Sequence, residues 1–179
     1  MTTRQDDRAN LEKPKKEFDE VMLEVRRVTR VTTWGRQLSF RATILIGNRK
    51  GKVGVGVAKG PDVAIAVKKA TTEAYKNVVD APITETFSVP YTVTSTYKSA
   101  EVKLIPASSG TGLKAGSSVR VVLDIAGYTN ILSKIVGTNN KLNNVLATIQ
   151  ALSSFKVWRN VKKKVPVTQE KETSEISED

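Results

Sequence analysis

The stretch Phe40-Arg41-Ala42-Thr43-Ile44-Leu45-Ile46-Gly47-Asn48-Arg49-Lys50-Gly51-Lys52-Val53-Gly54-Val55-Gly56-Val57 decides the fold. Phe40, Ala42, Ile44 and Ile46 alternate with Arg41 and Thr43, the period-two pattern of a strand with one buried face. Gly47 to Gly51 has the composition of a hairpin loop, and Val53, Val55 and Val57 make the next strand. Upstream, Val21, Leu23 and Val25 alternate, and Val28 and Val31 continue an extended run as far as a turn at Trp34-Gly35-Arg36. Three strands joined by two short connections predict an antiparallel meander.

Lys59-Gly60-Pro61-Asp62 then opens a helix, since proline fits the first turn and an acid suits its dipole. Val63, Val67, Ala70, Ala74 and Val78 form an apolar stripe, so the spacing predicts a helix over 61–79 that lies on the sheet. Beyond Ala81-Pro82 the pattern restarts. Residues 87–93 read as extended, with Pro90 confined to an edge because it donates nothing to a ladder. Ala100, Val102 and Leu104 supply the opposing strand. The small-residue loop Ser108–Gly112 follows. Residues 116–127 carry β-branched side chains, but the spacing of Val119, Val122, Leu123 and Ala126 between glycines favours a helix. Ile131 to Val136 reads as a strand. A last helix, capped by Asn139 or Asn140, buries Leu142, Val145, Leu146, Ile149 and Leu152. The expected class is α+β: a β-β-β-α unit, then a β-β-α-β-α unit. The expected division is a flexible arm at 1–17, domains at 18–82 and 83–158, and a flexible charged tail at 159–179.

Composition narrows the chemistry. The 179 residues include no cysteine and no histidine, which removes thiol nucleophiles, imidazole bases and the commonest metal ligands. The few carboxylates in 21–158 show no metal-binding or acid–base spacing, so no catalytic residue, cofactor or metal is expected. No apolar run approaches the roughly 20 residues that span a bilayer, so no membrane association is expected. The net charge is +11. Residues 21–80 alone carry +8, while both ends are near neutral. A block so charged attracts polyanions.

The glycines admit more than one reading. Gly54 and Gly56 lie inside a strand of a meander, away from the strand-to-helix junction that a dinucleotide fingerprint needs. They mark a close approach, either of the helix or of a polymer backbone. Gly110 and Gly112 lack the Gly-Lys-Ser/Thr ending of a nucleotide loop; their amides make either a small anion nest or a tight turn.

The run from Gly35 through Gly60 resembles the signature of the bacterial-type small-subunit ribosomal protein S5 family. The likeness continues through Val63-Ala64-Ile65, Lys68-Lys69-Ala70, Pro106 to Gly112, Ala115-Gly116, Asp124 to Gly127 and Asn139 to Ala147. It spans roughly residues 17–157. The resemblance implies a first domain similar to the double-stranded-RNA-binding fold. It also implies binding to small-subunit ribosomal RNA, contacts with ribosomal proteins S4 and S8, and a place with S3 near the mRNA entry channel, with an influence on accuracy. No homo-oligomer is expected. The family's first hairpin loop, near the spectinomycin site, corresponds to Thr32–Gln37. Many relatives have lysine, glycine and a second arginine where this chain has Thr33, Trp34 and Gln37. Ser109 replaces a glutamate in the region implicated in the S4 contact, and Ser109 with Lys114 marks the expected protein-contact region.

The expected RNA contacts are Arg27, Trp34, Arg36, Arg41, Arg49, Lys50, Lys52, Lys59, Lys68 and Lys69, with Arg26, Lys114 and Lys134 behind them. Gly35, Gly54, Gly56, Gly110 and Gly112 are the expected close-approach positions. With no transit-like leader in view, a bacterial cytoplasm is the expected setting, ahead of an organelle-encoded origin.

Overall fold

The computed structural model describes residues 17–155. The expected tail and nearly all of the expected arm lie outside them. In chain order the elements are β1 (Asp19–Thr32), β2 (Gly35–Gly47), β3 (Lys52–Gly60), α1 (Val63–Lys76) and β4 (Val78–Asp80). They continue with β5 (Val93–Tyr97), β6 (Ala100–Pro106), β7 (Leu113–Lys114), α2 (Ser117–Ala126), β8 (Ile131–Val136) and α3 (Lys141–Ser154). One sheet runs β1-β2-β3-β4 and the other β5-β6-β8-β7. All pairings are antiparallel except β7 with β8.

The meander forms as the alternation predicts, but the helix is shorter than 61–79. Val78 and Val79, both β-branched, leave it to pair with Gly54 and Val53. The buried line is therefore Ala66, Ala70 and Ala74, while Val63 and Val67 are only half-buried. The reason lies under the helix. A Cβ at Gly54 would stand 2.6 Å from the Ala74 carbonyl oxygen, one at Gly60 would stand 2.8 Å from the Ala66 nitrogen, and one at Gly56 would collide with the Ala70 carbonyl. Glycines on the strand meet alanines on the helix, and backbone packs on backbone.

The second half differs from expectation at its start. Residues 81–92 form no strand, and β5 begins only at Val93 as an edge strand. Pro90 has no N–H to give, and Phe87 adopts φ +54°, so neither can sit in a ladder. Two short strands, β4 and β7, were not anticipated because two or three residues carry no periodicity. The helix over 116–127 forms as α2, closed by Gly127 at φ +99°. Asn140 caps α3, its Oδ1 accepting from the Leu142 amide at 3.2 Å.

The two sheets share a core. Even-numbered β2 residues Ala42, Ile44 and Ile46 meet α1, whereas Leu45, Val53 and Val55 on the other face pack with Val122, Leu123, Val145 and Leu152 of the second half. The β2–β3 loop stitches the junction. The Arg49 and Gly51 amides donate to the Ile125 and Ala126 carbonyls, each at 2.9 Å, closing the end of α2.

Tyr128 adds a second tie. Its buried hydroxyl donates to the Pro82 carbonyl at 2.8 Å, and burial raises its pKa above the ordinary phenol value. An unfolded chain ionises this phenol near pH 10, while the fold keeps it protonated. Its contribution is therefore complete below that pH and drains away as pH rises beyond it. Tyr128→Phe should lose about 1 kcal/mol at neutral pH and show a flatter alkaline decline in denaturant midpoint. An unchanged alkaline limb would assign that decline to other groups.

Candidate nucleic-acid interface

The basic side chains expected to touch RNA fall on separate surfaces, most of them on the first sheet. At the far end, β1 and β2 outrun β3, whose pairing stops at Phe40 with Gly60. The remaining two-stranded ribbon projects to a turn at Thr33-Trp34, held by the Thr32 hydroxyl donating to the Gly35 carbonyl at 3.1 Å. Gly35 takes φ +143° with open space around it. Trp34 at the tip is 99% exposed. Arg27 and Arg36 lie on the α1 side of this ribbon, lining a shallow cleft with Thr29, Val31 and Leu38.

The opposite face holds a different group. Arg26 pairs across to Arg41, and Arg41 to Lys59, so three cations stand side by side across β1, β2 and β3. This row begins one rung beyond Thr43 and Val57, where the second half stops covering the face. Like charges placed directly opposite repel. Glu24, in contact with Arg26 at 2.8 Å, is the acidic partner seen there. Such a row gains from a string of phosphates at the spacing that it presents. Arg30 lies on the same face, two rungs along from Arg26. The sequence reading passed over it, although the even spacing 26, 28, 30 on one strand was the available signal.

Arg49, Lys50 and Lys52 sit at the other end of β2, about 40 Å from the hairpin tip at 3.4 Å per residue. Asn48 organises this loop, its Oδ1 accepting from the Lys50 and Lys52 amides at 2.8 and 3.0 Å. Arg49 holds Asp19 at 3.0 Å through Nε. Lys50 and Lys52 line a cleft with Glu17, Phe18 and Asn48. Lys68 and Lys69 are exposed on α1. In the second sheet Lys134 faces Lys103 across β6 and β8, on the side away from the core, and Lys114 is exposed on β7.

The glycine readings now separate. What approaches Gly54 and Gly56 is the backbone of α1, and both are buried beneath it. No polymer can reach them there. The loop at Ser108–Gly112 is no open anion nest either. The Gly110 and Gly112 amides both donate to Asn130 Oδ1, at 3.1 and 3.3 Å. Asn130 Nδ2 in turn donates to the Thr86 carbonyl at 2.8 Å. Ser109 is exposed on this loop.

Among the described residues no group of three or more acidic side chains is placed to hold a metal, and no helix is long and apolar enough to cross a membrane. A glycine-lined meander with cations ranked along its open face, and a basic ribbon beside it, presents a surface that suits a polyanion. Family comparisons give the class its name. The N-terminal domain of ribosomal protein S5 matches residues 18–82, and the C-terminal domain of ribosomal protein S5 matches residues 95–165. This chain belongs to the ribosomal protein S5 family.

Its relatives include small ribosomal subunit protein uS5c of Emiliania huxleyi, 44% identical over 142 residues, which cover 79% of this chain and 89% of that one. The uS5c of Rhodomonas salina is 44% identical over 84% of this chain and 90% of its own length. The uS5 of Nostoc sp. is 43% identical over 80% and 83%. Membership makes the chain an RNA-binding ribosomal protein of translation with a structural, non-catalytic part. The expected bacterial cytoplasmic setting is corrected by these relatives. Five of the similar proteins are uS5c, the plastid form, which points to an organellar setting.

Proposed function

We propose that the chain binds small-subunit ribosomal RNA through the Arg26–Arg41–Lys59 row and the Trp34 ribbon. In this reading it supports the neck and mRNA entry region beside S3, S4 and S8 and contributes to decoding accuracy. Residues 18–82 act as a double-stranded-RNA-binding-like domain and 83–158 as the C-terminal domain. Lys68, Lys69, Lys50 and Lys52 add phosphate contacts from other directions. The observation that carries the reading is the cation row: three like charges placed side by side on an open sheet face are better accommodated with a polyanion than without one. Folded RNA is recognised largely through shape, phosphate and 2′-hydroxyl, which suits a face rich in guanidinium and ammonium groups. The thinner charge at Thr33, Trp34 and Gln37 leaves the ribbon tip to stacking more than to phosphate attraction.

A sucrose gradient of lysate carrying a tagged copy tests the assignment. Sedimentation with small subunits through a high-salt wash is the expected result. Release into the light fractions would overturn it in favour of a transient RNA-binding factor.

A further inference from the structure

The second sheet has one covered face and one open face. Val102, Leu104 and Ile131 are buried with residues of α2 and α3 in one core, so the side chains that alternate with them point the other way. On that open face Thr94, Lys103 and Lys134 share a rung across β5, β6 and β8. The rung to one side holds Ile105, Leu132 and Lys114, and the rung to the other holds Thr96, Glu101 and Val136. Lys103 and Lys134 stand directly opposite each other, an arrangement that is destabilising by itself. Both are exposed, and among the described residues neither has an ion-pair partner.

The described chain ends beside this sheet. Phe155, just after α3, is buried, its ring edge-on to Tyr91 with centroids 5.1 Å apart. Tyr91 precedes Thr94 by three residues, about 10 Å of extended chain, and β5 is an open edge of the sheet. A chain that continues from Phe155 has one strand to pass before it arrives on the open face. The basic run from Lys156 to Lys164 comes first and is repelled by the lysines there. Beyond it the charge reverses: Glu170, Glu172, Glu175, Glu178 and Asp179 are accompanied by one cation, Lys171. These acids lie past residue 165, where the family match stops. The chain from Phe155 to Glu170 can extend up to about 50 Å, and Lys103 and Lys134 lie well within that reach.

We propose that the open face of the second sheet is a docking site for this chain's own acidic segment, residues 170–179, which lies across Lys103 and Lys134 and withholds them from other polyanions. The segment is the occupant because its charge is opposite and its attachment point is close, so tethering keeps it at high effective concentration. Its one large apolar residue, Ile176, matches a face on which Ile105, Leu132 and Val136 flank the lysines. The inference goes beyond the ribosomal reading and stands without it.

Acetylation by N-hydroxysuccinimide acetate, read by mass spectrometry on the full chain at low salt, tests it. The comparison is a variant carrying Glu170→Gln, Glu172→Gln, Glu175→Gln, Glu178→Gln and Asp179→Asn. Lys103 and Lys134 should react about threefold faster in the variant, the scale of an exposed ion pair, while Lys68 and Lys69 on α1 keep their rates. At about 1 M salt, where screening acts within about 3 Å, the two chains should react alike. A carbodiimide should join Lys103 or Lys134 of the parent to carboxylates of residues 170–179. Equal low-salt rates in the two chains, or the absence of that link, overturn the inference. So does an equal rise at Lys68 and Lys69, which reports net charge alone, or a difference that fades on dilution, which gives the face to a second copy. Protection of Lys103 and Lys134 in the parent by naked small-subunit RNA also overturns it, by making RNA the occupant.

Discussion

Gly56→Ala is expected to destabilise the protein by about 3 kcal/mol, the upper part of the usual range for forcing an extra carbon into a filled interior. For a chain of this size that is roughly a 10 °C fall in melting temperature, out of a total stability on the order of 5–15 kcal/mol. The obstacle is the backbone carbonyl of Ala70, with the Ala74 amide 2.5 Å away. No change of rotamer clears the space, so α1 must lift from the sheet as a body. Ala66, Ala70 and Ala74 would then lose contact together. Second-site substitutions that merely trim side chains should fail to restore the melting temperature. A thermal scan of Gly56→Ala within about 2 °C of the parent would mean that the helix rides higher than described.

The second large effect concerns binding. Replacing Arg26, Arg41 and Lys59 together with alanine should make the log–log salt dependence of RNA affinity shallower by roughly 2–3, at 0.7–0.9 per lost phosphate contact. The slope is more informative than affinity at one salt concentration, because a misfolded protein loses affinity without a matching change in counterion release. The same variant should fold at least as well as the parent, since it removes two like-charged cross-strand pairs. Melting curves and salt titrations on one preparation measure both. An unchanged slope would leave the row without a phosphate partner.

How far the sequence carried the fold can be seen residue by residue. The alternation at Phe40–Ile46 and the stripe from Leu142 to Leu152 were legible because each has a fixed period, although the alternation gave only the α1 face of β2 and not the burial of Thr43 and Leu45 on the other. The end of α1 was not, because Val78 continues the helical stripe in phase while pairing as a strand with Gly54. Pairing with a residue 24 positions away leaves no local mark. The candidate site was legible as a list of cations but not as a surface. Arg26, Arg41 and Lys59 become neighbours only through strand register, and the same register carries Arg49, Lys50 and Lys52 to the far end of β2. Gly110 and Gly112 were ambiguous for a related reason: the side chain that fills their amides belongs to Asn130, beyond an intervening helix. Phe87 gave no signal, since a left-handed backbone at a phenylalanine is imposed by its neighbours in space.

The stitching of the Arg49–Gly51 loop to the end of α2 bears on how the chain is made. Leu45, Val53 and Val55 are covered by segments that follow Pro82. At about 5–20 residues per second, the ribosome that synthesises this chain needs several seconds to add α2, β8 and α3 after the first sheet has emerged. During that interval one face of the nascent sheet is apolar and bare, and the amides of Arg49 and Gly51 have no carbonyls to meet.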